Sequence, residues 1–106
     1  MEYKDRRVPR HPFTVDIVVT DIRSGIQITE RTQDLSHCGC SVKTESLFPA
    51  GTKVMLTIAH QQKEIIAFGK VIYDRPDIGM GIVFTAIEPA DQKLVDAWID
   101  ELDAAP

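Results

Sequence analysis

Arg6, Arg7 and Arg10 stand together near the start of the chain, in the run Arg6-Arg7-Val8-Pro9-Arg10, and Asp34-Leu35-Ser36-His37-Cys38-Gly39 follows further on. A guanidinium is a planar, permanently charged fork of donors. It matches phosphate oxygens and the O6 and N7 acceptors of guanine. The second segment supplies the complementary parts: a carboxylate that accepts, a hydroxyl that does both, and a glycine with no side chain in the way. Together the two segments have the chemistry of a receptor site for an anionic nucleotide. Taken singly, each has a plainer reading: terminal arginines usually form a solvated arm, and Asp-x-Ser before glycine usually serves turn geometry.

Other reactive groups make weaker cases. His37-Cys38-Gly39-Cys40 offers imidazole and thiols, but a closed zinc site needs four ligands at spacings such as Cys-x2-Cys, and nothing ties His11 or His60 to the cluster. No metal site and no cofactor are expected. Ser36 beside His37 is no nucleophile and base by adjacency alone, because successive strand side chains point to opposite faces. The helix acids Asp96, Asp100, Glu101 and Asp103 read as a solvated side, so no catalytic constellation remains and an enzyme is not expected. Cys38 and Cys40 are too close along a strand for an ordinary disulfide, and reduced thiols are the simpler reading.

The whole chain has 106 residues, 43% of them hydrophobic, which suits one compact domain with a modest core. Its formal charge is -4, which argues against a nonspecific nucleic-acid binder. The basic charge is concentrated at the start, whereas residues 88–106 hold six acids against Lys93 alone. No apolar run approaches the length of a membrane span, and the N-terminal charges are not followed by a signal-peptide core, so a cytoplasmic protein is expected.

Six stretches have the two-residue period of strands. Phe13–Thr20 is rich in β-branched residues, and Ile26–Gln33 follows a Ser24-Gly25 turn as its hairpin partner. A third strand begins after Gly39, with Cys40 and Val42 on one face and Ser41 and Lys43 on the other. The fourth, Lys53–Ala59, sets Val54, Leu56 and Ile58 against Lys53, Met55 and Thr57, and a polar turn at His60-Gln61-Gln62-Lys63 leads to the fifth, Glu64–Asp74. Gly69 interrupts that stretch where a bulge or bend would fit. Gly79–Phe84 is the sixth. The period then changes: after Pro89, Leu94, Val95, Trp98, Ile99 and Leu102 recur at helical spacing, with Asp91 in the first turn. The aromatic residues, Phe13, Phe48, Phe68, Phe84 and Trp98 among them, fall mostly in core segments. The helix stripe needs a surface, which the mouth or side of a small antiparallel barrel would provide.

Arg6 and Arg10 fill the ends of an Arg-x-x-x-Arg segment, and Asp34, Ser36 and Gly39 fill an Asp-x-Ser-x-x-Gly segment. In this order, ahead of this strand pattern, they make the chain resemble the PilZ domain family. The resemblance implies an all-β dominated fold, a six-stranded antiparallel β-barrel with a C-terminal α-helix packed on it. It also implies a bacterial second-messenger receptor that binds cyclic di-GMP. By the same resemblance Arg6 and Arg10 would contact phosphate and guanine, Arg7 would support a phosphate, Asp34 and Ser36 would meet guanine edges or the ribose-phosphate, and Gly39 would leave the approach open. Residues 1–12 would form a flexible basic arm and 13–106 the barrel and helix. Binding would order the arm and pass the signal to a downstream protein partner. One alternative is a protein-protein adaptor of the same fold with weak or no nucleotide binding. Another is a barrel for single-stranded nucleic acid, which would need aromatic stacking residues along a basic groove.

Overall fold

The computed structural model describes the backbone of residues 11–104 and the side chains of residues 13–101. Its elements are β1 (His11–Pro12), β2 (Asp16–Asp21), β3 (Gln27–Ser36), β4 (Gly39–Val42), β5 (Lys53–His60), β6 (Lys63–Arg75), β7 (Gly79–Ile87) and α1 (Pro89–Ala104). Every strand pairing is antiparallel. The neighbour order β3-β2-β5-β6-β7-β4 closes on itself because β4 also pairs with β3. Six strands therefore form a closed barrel, and closure leaves no long unpaired edge among them. The expected six-stranded antiparallel barrel with a C-terminal helix is the fold observed.

Alternation along the strands builds the core. Ile17 and Val19 of β2, Val54, Leu56 and Ile58 of β5, and Ile65 and Val71 of β6 all point inward and are fully buried. Gly69 does mark an irregularity, although the extra residue lies on the facing strand. Phe68 pairs with Ala86 and Gly69 with Phe84, leaving Thr85 of β7 bulged out of the ladder. A side chain at residue 69 would meet the Val83 carbonyl at 2.8 Å and the Ile82 Cγ2 at 2.9 Å.

Several expected boundaries move. The first strand, expected over Phe13–Thr20, starts only at Asp16 and runs to Asp21, and His11–Pro12, ahead of that span, pair as a separate two-residue strand. The second runs on through the motif, so that Asp34 and Ser36 are strand residues. Phe68 also departs from its expected core placement. It points outward and is 45% exposed, because along β6 it shares the face of Ile66 rather than that of Ile65 and Ala67.

The helix closes one mouth of the barrel. The end of β3, the β5–β6 turn and the start of β6 all reach this end, and α1 lays Val95, Trp98 and Ile99 into the core from there. Trp98 packs edge-on against His60 at 5.3 Å between ring centroids, and His60 does the same with Phe13 at 4.8 Å. Burying aliphatic side chains such as Val95 and Ile99 contributes roughly 1.5 to 3 kcal/mol apiece, enough to hold a short helix that would fray alone. Asp91, in the first turn, accepts a hydrogen bond from the backbone N–H of Ile66 at 3.2 Å. Leu102 lies outside the described side chains. At the other mouth the segment joining β4 to β5 carries the buried Phe48 into the core.

Candidate functional site

Antiparallel register puts the second motif on one outward face. Asp34 stands opposite Ser41 and Ser36 opposite Gly39 on the side away from the core, where Ser36, Gly39 and Ser41 are nonetheless buried and Asp34 is half-buried, while the intervening pair, Leu35 and Cys40, points into the core. The register slips between Thr32 and Asp34. That shift lets buried Thr32, two residues upstream, point inward and Asp34 outward.

Within this face the polar groups are held in place. The Ser41 hydroxyl donates to Asp34 Oδ2 at 2.8 Å and lies 3.4 Å from Gln33 Oε1. Ser36 accepts from the Cys38 N–H at 3.2 Å and donates to the Gly39 carbonyl at 3.3 Å, so it shapes the β3–β4 turn. Ser41 joins this face through Asp34, a placement that the sequence motif does not include. Its only signal was a polar face two residues beyond Gly39. Gly39 has a structural reason of its own: a β-carbon there would overlap the carbonyl oxygen of Ile82, because β4 lies against β7 at this point.

The turn beyond Ser36 is tied to the helix. His37 Nδ1 lies 2.7 Å from Asp96 Oδ1, and Gln92 Nε2 donates to the His37 carbonyl at 3.1 Å and to Asp96 Oδ1 at 2.8 Å. Asp96 is therefore not part of a purely solvated helix side, as its sequence position implied; the β3–β4 turn reaches it across 59 positions of chain. Partial burial works to raise its pKa. The hydrogen bonds from His37 and Gln92 and the nearby imidazole charge outweigh that, and the carboxyl sits below its ordinary value.

Arg6, Arg7 and Arg10 lie outside the described residues. Their attachment point does not: His11 pairs with Leu35 and Pro12 with Asp34, on the edge of β3 that β2 occupies further along. The chain carrying the arginines is thus tethered to the strand that carries Asp34 and Ser36, with Arg10 one peptide unit from His11. The expected arm of residues 1–12 accordingly ends in a two-residue strand.

Among the described residues, no group of three His, Cys, Asp or Glu side chains is placed to hold a metal ion, and no helix is long and apolar enough to cross a membrane. Cys38 is exposed and Cys40 lies in the core. A groove of about 670 Å³ between Asp21–Arg23 and Pro49–Lys53 sits at the mouth opposite the helix and includes none of the motif residues.

The sequence matches the PilZ domain family over residues 4–101. No curated protein sequence gives a match. Among solved structures, the fold is similar to the PilZ domain of CeSA from a cellulose-synthesizing bacterium, with 22% identity over 90% of this chain and 98% of that one and a TM-score of 0.72. It is similar to the Bacillus subtilis inhibitor of motility MotI/DgrA, with 17% identity and a TM-score of 0.73, over 95% of this chain and 53% of that one. It is likewise similar to the PilZ domain of YcgR from Escherichia coli, solved with c-di-GMP, with 15% identity over 93% and 92% of the two chains and a TM-score of 0.70.

Proposed function

The chain belongs to the PilZ domain family, and on that premise we propose that it is a cyclic di-GMP receptor whose N-terminal arm closes over the nucleotide. The observation that carries this reading is the pairing of β1, which directly follows Arg10 in sequence, with the strand of the second motif. His11 and Pro12 of β1 pair with Leu35 and Asp34, so the chain next to Arg10 is anchored on the strand that carries Asp34 and Ser36. Arg6 and Arg10 grip phosphate and the guanine O6/N7 edge, and Arg7 adds charge toward a phosphate. Asp34 and Ser36 present an acceptor and a hydroxyl to guanine or ribose. Gly39, with no side chain, lets β4 and β7 approach closely beside them. Neutralising the two phosphates drives the ordering of the arm, and the new surface is read by a partner protein in a bacterial cytoplasm. On this reading the protein is a regulatory binding domain without catalytic activity.

The test is calorimetric titration of the full chain with cyclic di-GMP, using cyclic di-AMP and GTP as controls, on the wild type and on Arg6→Ala and Arg10→Ala. A charge-assisted hydrogen bond is worth roughly 1.5 to 3 kcal/mol, so each variant is expected to bind about ten-fold to over a hundred-fold more weakly. Absence of saturable binding by the wild type, or undiminished binding by both variants, refutes the receptor reading.

A second reading, an adaptor that works through protein contacts with weak or no nucleotide binding, draws on one observation. Asp34 and Ser36 already serve the hairpin, through Ser41, Cys38 and Gly39, and would earn their places without a ligand. The same titration separates the two.

A further inference from the structure

The outer face of β6 carries a second pattern, independent of the nucleotide site. Period two places Glu64, Ile66, Phe68 and Lys70 on this face, while Ile65, Ala67, Gly69 and Val71 point inward. Ile66 and Phe68 are 46% and 45% exposed, adjacent large apolar side chains on a surface where one would expect polar residues. On β5 the half-buried Thr57 and Met55 stand opposite Ile66 and Phe68, extending the apolar strip sideways.

The charges bounding the strip have opposite signs at its two ends. Lys70 pairs in register with Lys53 of β5, making one end basic. Glu64 marks the other end, and Asp91 is fixed beside it by its hydrogen bond from the Ile66 N–H. An acid, two apolar residues and a base in sequence along one face are self-complementary under a two-fold rotation. A two-fold axis lying between two such faces and crossing β6 at Ala67 sets Ile66 of one copy against Phe68 of the other. The same rotation sets Lys70 of each copy across from Glu64 of its mate, with Lys53 one strand over and facing the mate's Ala59. The other in-plane two-fold, along the strand, would put lysines against lysines. Charge therefore selects one orientation.

We propose that this face is a homodimer surface on which a second copy of the chain packs β6 against β6 in antiparallel orientation, with Ile66 and Phe68 at the centre and Glu64–Lys70 pairs at both ends. The interface is isologous, as a closed dimer requires. With strands ~4.8 Å apart and ~3.3 Å per residue, the strip covers on the order of 300 Å² per copy. That is less than the roughly 800 Å² per partner of a standard interface, so the association is weak and concentration-dependent.

Sedimentation equilibrium of the full chain, from about 10 to 500 µM, tests this (a range set by the weak class of interface). The wild type is expected to shift from monomer toward dimer over that range. Phe68→Ser should abolish the shift, and Glu64→Lys and Lys70→Glu should each weaken it about ten-fold, since like charges then face each other twice per dimer. The double variant Glu64→Lys/Lys70→Glu should recover most of the association, because the exchanged charges pair again across the axis. Ile26→Ser, at an exposed apolar residue outside the strip, should leave it unchanged. All positions are at the surface, and circular dichroism verifies folding. A wild type that stays monomeric to the top of the range overturns the proposal. So does a double variant no better than the singles, or an Ile26→Ser effect equal to that of Phe68→Ser.

Discussion

The β3–β4 and β5–β6 hairpins turn at the same mouth of the barrel and are both fastened to α1, but their outward faces and their turns are made differently. In β3–β4 the outward residues are polar and locally engaged, Asp34 with Ser41 and Ser36 with the turn it encloses. The β5–β6 outward face presents exposed Ile66 and Phe68. The first turn is shaped by a serine hydroxyl and needs a glycine for packing. In the second, Gln61 and Gln62 occupy the left-handed region, with φ of 53° and 64°, without the asparagine or glycine that such two-residue turns favour. Each hairpin reaches the helix through a carboxylate: His37 meets Asp96, and the Ile66 N–H meets Asp91. Similar topology thus leaves one hairpin with an ordered, largely buried polar face and the other with an exposed apolar one.

Three measurements test this contrast. The largest expected effect is at Gly39, where alanine must displace the Ile82 carbonyl of β7. Gly39→Ala should lower stability by about 3 kcal/mol in urea denaturation without ligand, the upper part of the usual range for overpacking. An unchanged midpoint would mean that β4 and β7 do not need this close approach and that glycine serves only a ligand. Next is the β5–β6 turn, where Gln61→Asn with Gln62→Gly relieves two left-handed residues and should raise stability by about 1 kcal/mol. Equal stability of the two proteins would remove the strain assigned to this turn.

The smallest effect concerns the helix latch. Both His37 and Asp96 are more than a third exposed, so Asp96→Asn should cost less than about 1 kcal/mol at neutral pH. Because the folded carboxyl has a pKa below its ordinary value of 3.8, its contribution is present above that pH and is lost as pH falls through the folded pKa. The stability gap between wild type and Asp96→Asn should therefore be seen at pH 5 and shrink by pH 3. A gap that does not shrink on acidification would show that the side chain acts through something other than its charge.

The parts of this fold that depend on short periods were legible in the chain. Val54, Leu56 and Ile58 alternate with Lys53, Met55 and Thr57, and the stripe from Leu94 to Ile99 recurs at helical spacing, so six strands and a helix could be read directly. Phe68 is the exception: its large apolar side chain suggests the core, whereas its parity along β6 places it outside. The motif residues were recognisable as types, and their common face follows from parity once Asp34 and Ser36 are known to lie in one strand.

Residue types and their short-range period are enough to show the chemistry on offer and the elements that carry it: the arginines, the Asp34–Gly39 segment, the alternating core and the amphipathic helix. Tertiary structure alone decided which face meets which. The Ile82 carbonyl behind Gly39, the Ser41 hydroxyl on Asp34, the Asp96 carboxylate at His37 and the pairing of His11 with Leu35 all depend on strand register and barrel closure. The reason is that side-chain direction is set by φ/ψ period within a few residues, whereas contact between distant segments is set by how closed hydrogen-bond ladders and a single core can be satisfied together.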